Sequence, residues 1–107
     1  MPTKLDAHRV ADALDALPGW SGDTSTIVRK VAIDEETSNE AVEKISIVAN
    51  EMNHHPVVDR APGVTIFTVW THSQGGVTDL DITLASRISD ILRQHGIADP
   101  TDADADA

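Results

Sequence analysis

Residues 64–72 constrain the fold more than any other stretch, because their pattern is extended and apolar on both faces. They read Val-Thr-Ile-Phe-Thr-Val-Trp-Thr-His, so that Phe67 and Val69 alternate with Ile66 and Trp70. Successive side chains of a strand point to opposite sides of the sheet, and a strand that is apolar on both sides belongs to a sheet covered on both faces. We expect helices on one face and a second subunit over part of the other.

Three stretches carry the three- and four-residue apolar spacing of amphipathic helices. The first is predicted over residues 5–17. The second is predicted to be capped by Thr37 or Ser38 and to end near Asn53. The third, residues 78–95, opens with a Thr-x-x-Asp pair that resembles a capping box.

Three further extended segments are predicted over residues 20–25, 26–33 and 56–60. The resulting order of elements is α-β-β-α-β-β-α. Because neighbouring strands are joined by short turns, we expect them to pair antiparallel. The sequence therefore predicts an α+β fold in which a four-stranded antiparallel sheet carries three helices on one face.

The chain of 107 residues is the size of one domain. Its last ten residues, 98–107, hold four Asp and no basic residue, which predicts an acidic disordered tail behind a single domain at residues 1–97. A net charge of −10 argues against nucleic acid and anionic membranes as partners. The absence of cysteine excludes disulfides, thiolate zinc sites and cysteine nucleophiles. With no signal-peptide pattern and no long apolar run, we expect a cytoplasmic protein.

Three of the five histidines fall within one region of the chain, at His54, His55 and His72, and Asp81 follows them. Imidazoles exchange protons near neutral pH, so this concentration favours acid–base chemistry. The spacing of Asp81 within the third helix matches the apolar stripe of that helix, which predicts that its carboxylate points inward.

The same side chains have other uses that the residues alone leave open. A histidine at a helix end can serve as a capping cation, and Asp81 can simply favour the helix dipole. Histidine and aspartate together could hold zinc or iron, although His54 and His55 would point in opposite directions in extended chain, and no metal is predicted. Gly75 and Gly76 could offer N–H groups to an anion or form a turn that needs unusual backbone angles.

The arrangement resembles that of the pterin-4a-carbinolamine dehydratase family. The family pattern is His-His-Pro, a histidine at the end of the next strand and an aspartate on the following helix. It falls here on His54, His55, Pro56, His72 and Asp81.

Two features differ from the family pattern. The position four residues before the first histidine of the motif is Asn50, where the family usually has a charged residue. The aromatic residue expected after His-His-Pro is missing from residues 57–63. The segment 71–85 is nevertheless similar to the family's Thr-His, Gly-Gly-Leu-Thr and Leu-Ala run.

The resemblance implies the same α+β fold, assembled as a homodimer or homotetramer. It also implies dehydration of a 4a-hydroxytetrahydropterin to a quinonoid dihydropterin, with no cofactor. The implied catalytic residues are His54, His55, His72 and Asp81, with the acid and the base not assigned among the histidines. Contacts to the pterin substrate are expected from neighbouring residues, namely Asn50, Glu51, Pro56, Thr71 and Ser73. The competing function is a non-catalytic binding or assembly protein on the same scaffold, such as a Rubisco assembly factor.

Overall fold

The computed structural model describes residues 2–100. Its elements, in chain order, are α1 (Ala7–Asp15), β1 (Trp20–Gly22), β2 (Ile27–Ala32), α2 (Glu35–Met52), β3 (Val57–Ala61), β4 (Val64–Val69) and α3 (Asp79–Gln94). A single turn of 3-10 helix, His72–Gln74, lies between β4 and α3. The predicted order of helices and strands is confirmed.

The four strands form one antiparallel sheet in the order β1-β2-β4-β3. The strand with the two-sided apolar pattern, β4, is therefore internal. Its inward side chains Phe67 and Val69 are buried with Ile27 and Val31 of β2 and with the apolar stripes of the helices in one core. The predicted α+β class, with helices on one face of the sheet, is confirmed.

The opposite face of the sheet is only partly covered. Val28, Ile66 and Trp70 are half-buried there, and Val57 is 42% exposed. These side chains lie on the face for which a second subunit is expected. That cover stays a prediction.

The predicted start of α2 is wrong. The helix begins at Glu35 and is capped by Asp34, whose carboxylate accepts the Thr37 N–H at 2.7 Å. This bond holds the pKa of Asp34 below its usual range. The alternative cap Ser38 is buried inside the helix, where its hydroxyl lies 2.7 Å from that of Thr65.

The C-terminal end of α2 and the N-terminal end of α3, which border the histidines, agree with the prediction. α2 ends at Asn53, which takes a left-handed backbone conformation with φ 52°. α3 is capped by Thr78, and the Asp81 carboxylate completes the capping box. The strand β4 stops at Val69 rather than at His72, because the chain bends into the 3-10 turn.

The C-terminal boundary can be followed as far as Pro100. Asp99, which falls in the predicted tail, accepts hydrogen bonds from Arg29 and Arg93. Residues 101–107 lie outside the described part of the chain. The division into a domain and a disordered tail stays a prediction.

Candidate active site

His54 lies in the turn that leads from α2 into β3. The left-handed residue Asn53 ends the helix, as such residues commonly do, and the His54 N–H donates to the Ala49 carbonyl at 2.9 Å. This closed turn directs the His54 ring toward the first turn of α3, where Asp81 lies 2.5 Å from it.

Asp81 is fully buried. Its Oδ2 atom accepts the Thr78 backbone N–H and the Thr71 hydroxyl, each at 2.8 Å. Its Oδ1 atom lies 2.5 Å from His54 Nε2. A buried carboxylate is costly unless it is hydrogen-bonded, and both oxygens have a partner here. The arrangement suits a carboxylate anion held in one position.

The contact with Asp81 determines which ring nitrogen of His54 is available for chemistry. An ionised carboxylate only accepts hydrogen bonds, so we assign the proton of this contact to Nε2. The second ring nitrogen, Nδ1, is then the atom that can take up or release a proton. The His54 side chain is 12% exposed, so the fold does not enclose it completely.

Two threonine hydroxyls support Asp81 from within the fold. Thr71 Oγ1 lies 2.8 Å from Thr78 Oγ1, and both residues are buried. Because Thr71 donates its one hydroxyl proton to Asp81, Thr78 donates to Thr71. The hydroxyl of Thr71, a predicted substrate contact, thus holds the carboxylate in place.

His55 points away from this buried network. It is exposed, and its Nε2 lies 2.7 Å from Asn50 Oδ1. Asn50 and Glu51 are exposed in the last turn of α2, and Pro56 is half-buried. These three predicted substrate contacts therefore lie beside His54 and His55, at the surface or close to it.

His72 and Ser73 are exposed in the 3-10 turn. The His72 ring packs against Trp70, with ring centroids 4.5 Å apart and planes inclined at 43°. Within residues 2–100, no hydrogen bond joins His72 to His54 or Asp81. The link is through the chain, because Thr71 immediately precedes His72 and contacts Asp81.

The two adjacent glycines use their backbone N–H groups within the turn. Gly75 donates to the His72 carbonyl at 3.1 Å, and Gly76 donates to the Thr71 carbonyl at 3.3 Å. A Cβ atom on Gly76 would lie 2.4 Å from the Thr24 carbonyl oxygen, so a side chain does not fit. This geometry supports the turn interpretation over anion binding.

Thr78 and Trp70 join this region although the predicted site set does not include them. Thr78 could have been identified from its spacing to Asp81, since a helix cap and its N3 partner are necessarily close. Trp70 could have been identified because residues two apart in a strand point to the same face, and Trp70 lies two residues before His72. Neither signal by itself indicates a site.

In the part of the chain that the structure describes, no group of three or more histidine, cysteine, aspartate or glutamate side chains is arranged to hold a metal ion. Over the same residues, each helix is either too short or too polar to cross a bilayer.

Comparison with known proteins places this chain in a family. Residues 3–91 match the model of the family described as "Pterin 4 alpha carbinolamine dehydratase". A protein of Mycobacteroides abscessus named "Putative pterin-4-alpha-carbinolamine dehydratase" is 38% identical over 85 residues, which cover 78% of this chain and 90% of the relative. A protein of Streptomyces avermitilis with the same name is 37% identical over 99 residues, which cover 90% of this chain and 98% of the relative.

A solved structure gives the same result for the fold. The crystal structure of a "transcriptional coactivator/pterin dehydratase" from Brucella melitensis superposes with a TM-score of 0.79 and 30% sequence identity. The match covers 83% of this chain and 98% of that one. The chain therefore belongs to the pterin-4a-carbinolamine dehydratase family.

Proposed function

We propose that this chain catalyses the dehydration of a 4a-hydroxytetrahydropterin to the quinonoid dihydropterin. The observation that carries the proposal is the hydrogen bond between His54 and the buried Asp81. Asp81 also caps α3, but that role uses Oδ2, whereas the contact with His54 is made by Oδ1. A group that exchanges protons benefits from such fixed orientation.

The reaction needs one proton delivered and one removed. The bond between C4a and its hydroxyl oxygen breaks, and the departing oxygen takes a proton and leaves as water. A ring nitrogen loses a proton, and its electron pair forms the new carbon–nitrogen double bond. The two proton transfers balance, so the active site ends in its starting net protonation state. No cofactor is required for this elimination.

Within this scheme we assign to His54 one of the two transfers, through Nδ1. Asp81 accepts the hydrogen bond from Nε2–H, holds the ring tautomer and stabilises the imidazolium when Nδ1 is protonated. Thr71 acts as a positioning residue through its hydrogen bond to Asp81.

His55 and His72 supply the remaining acid–base and pterin-contacting groups in this proposal. Both are exposed and able to meet a substrate that approaches from solvent. We expect the pterin to contact neighbouring residues at this surface, namely Asn50, Glu51, Pro56 and Ser73. Because Asn50 is a neutral partner for His55, it fixes the ring without adding a negative charge.

We also propose that the chain assembles as a homodimer or homotetramer. The half-buried apolar side chains on the open face of the sheet, among them Val28 and Ile66, support this proposal because burying them against a second copy would remove apolar surface from water. Sedimentation of the purified protein measures the state directly.

The proposed activity is tested by stopped-flow dehydration of freshly generated 4a-hydroxytetrahydropterin. Wild type is compared with His54→Gln, His55→Gln, His72→Gln and the matched control His8→Gln, which changes an exposed histidine in α1. Loss of one general acid or base reduces a rate about 10²- to 10⁴-fold. We expect the largest loss for His54→Gln and an unchanged rate for His8→Gln.

Spontaneous dehydration sets the baseline of this experiment. If folded wild-type protein does not exceed that baseline, the enzymatic proposal is wrong. The competing function, a non-catalytic binding or assembly protein, would then be the one to pursue.

A further inference from the structure

Arg29 is a charged residue buried in the core. It lies on β2, where its inward-facing neighbours along the strand are Ile27 and Val31, and it is 2% exposed. Its sheet partners are Trp20 of β1 and Phe67 of β4. A guanidinium in such surroundings requires compensating partners, because burying an unpaired charge is costly.

The partners that Arg29 has engage one end of its guanidinium. Nη1 donates to Ser89 Oγ at 2.9 Å and to Asp99 Oδ1 at 3.3 Å. The same Ser89 oxygen accepts the Trp20 indole N–H at 2.9 Å. Among residues 2–100, no hydrogen bond is made by Nε or Nη2 of Arg29. Within this part of the chain, these two nitrogens of the five-donor fork therefore have no acceptor.

Arg29 lines a cleft of about 300 Å³. Its lining includes Gly19, Arg29, Lys30, Asp99 and Pro100. This cleft is lined by the positively charged Arg29, in a chain whose net charge is −10. We refer to it as the Arg29 cleft.

One wall of the Arg29 cleft is the C-terminal segment itself. Asp99 Oδ2 accepts from Arg93 Nη1 at 2.6 Å, and Pro100 packs over Gly19, where an added Cβ would lie 3.1 Å from the proline ring. Asp99 therefore presents a carboxylate to Arg29 from a segment at the edge of the fold, and it does so through one long bond.

We propose that the Arg29 cleft is a binding site for a small oxyanion, a carboxylate or a phosphate, which displaces the Asp99 carboxylate from Arg29. The cleft already accommodates one carboxylate oxygen, and the unused donors of Arg29 match the bidentate geometry that oxyanions prefer. Asp99 acts as a tethered competitor that keeps the cleft occupied when no free anion is bound.

The competition gives the proposal a quantitative test. A free ligand can bind only to molecules in which the tethered ligand is undocked. Its apparent affinity is therefore reduced in proportion to the undocked fraction. Removal of its charge by Asp99→Asn should therefore tighten phosphate binding by about tenfold if Asp99 is docked in about nine molecules of ten. Asp90→Asn removes one carboxylate from the same end of the molecule, where Asp90 pairs with Arg93 and not with Arg29, and is the matched control.

The experiment is a titration of the full chain with inorganic phosphate at fixed ionic strength, followed by ¹H–¹⁵N NMR. The reporters are the Lys30 amide and the Trp20 indole N–H. We expect saturable shifts in wild type, about tenfold tighter binding in Asp99→Asn, and affinity within about twofold of wild type in Asp90→Asn. Arg29→Lys in the Asp99→Asn background keeps the charge but removes the fork, and should weaken binding about tenfold.

Three results would overturn the proposal. They are the absence of saturable shifts in Asp99→Asn, equal phosphate affinity in Asp99→Asn and Asp90→Asn, and equal affinity with and without Arg29→Lys. If the Arg29 variant does not fold, the comparison of Asp99→Asn with Asp90→Asn decides alone, because both residues lie outside the core.

Discussion

Two charged residues, Asp81 and Arg29, are buried on the same side of the sheet and differ in how completely they are hydrogen-bonded. Asp81 has a partner on each oxygen, with all three short contacts between 2.5 and 2.8 Å. Arg29 is almost as deeply buried, yet among residues 2–100 its guanidinium makes hydrogen bonds through Nη1 alone, and its ionic partner Asp99 lies at 3.3 Å.

This difference in hydrogen bonding suits the two regions to different proposed functions. Both oxygens of the Asp81 carboxylate are hydrogen-bonded, so its effect is to hold His54 in one orientation. Preorganisation of this kind is what a catalytic group needs. Among residues 2–100, Nε and Nη2 of Arg29 make no hydrogen bond, and Arg29 lines a cleft. This arrangement suits exchange of one anion for another.

The largest expected effect is the loss of the negative charge that holds His54. Asp81→Asn retains the size of the side chain but replaces one acceptor oxygen with a donor, which leaves His54 without its anionic partner. We expect the enzymatic dehydration rate to fall about 10²- to 10⁴-fold. The measurement is stopped-flow dehydration with Asp79→Asn as the control, since Asp79 is an exposed acid in the same helical turn. Equal rates in the two variants would contradict the assignment.

The next effect tests whether Arg29 depends on its neutral partner. Ser89→Ala removes the acceptor shared by the Trp20 indole and Arg29. An unsatisfied buried donor costs about 1–3 kcal/mol, so we expect unfolding in urea to show a loss of about that size for each donor. Ser86→Ala, at an exposed position of the same helix, should change the free energy of unfolding little. If Ser89→Ala loses no more stability than Ser86→Ala, Arg29 does not depend on the Ser89 hydroxyl as a hydrogen-bond acceptor.

A smaller effect examines the support behind Asp81. Thr71→Val keeps the shape of the side chain but removes the hydroxyl that donates to Asp81. Hydrogen bonds to charged groups contribute about 1.5–3 kcal/mol, and the free energy of unfolding should fall by that amount. A positioning role also predicts a lower kcat. Thr68→Val, on the opposite face of β4, is the control, and a kcat unchanged by Thr71→Val would limit that residue to a structural role.

The smallest effect concerns a carboxylate at a helix end away from both regions. The Thr37 N–H bond lowers the folded-state pKa of Asp34, so the ionised form stabilises the fold. This contribution is complete above the unfolded pKa of about 4 and is lost as pH falls through the lower folded value. Asp34→Asn still caps α2 but should flatten the loss of stability in acid. Urea unfolding at several acidic pH values measures it, with Asp59→Asn as a single-charge control. Parallel curves for wild type and Asp34→Asn would contradict this prediction.

The sequence predicts best where a rule depends on neighbouring residues alone. The cap at Thr78, the inward direction of Asp81 and the end of α2 at Asn53 follow from spacing within one turn, and all three are confirmed. The start of α2 was predicted wrongly because Asp34, Thr37 and Ser38 are all favourable caps. In the structure Asp34 is the cap, and Ser38 is buried against Thr65.

Contacts that reach beyond one helical turn were harder to predict. The pairing of His55 with Asn50 depends on the exact turn after α2, and the pairing of Arg29 with Asp99 joins residues 70 positions apart. One signal for Arg29 was present, since it occupies the strand parity of Ile27 and Val31. A cation among inward apolar residues indicates a buried partner, but the pattern does not say which residue supplies it.

The central claim is that His54 and Asp81 act as one unit in proton transfer. A double-mutant cycle of His54→Gln and Asp81→Asn, read as the stopped-flow rate of pterin dehydration above the spontaneous rate, tests it most directly. We predict that each single variant loses most of the rate enhancement and that the double variant loses little more than either. Losses that multiply, as for independent residues, would contradict the account.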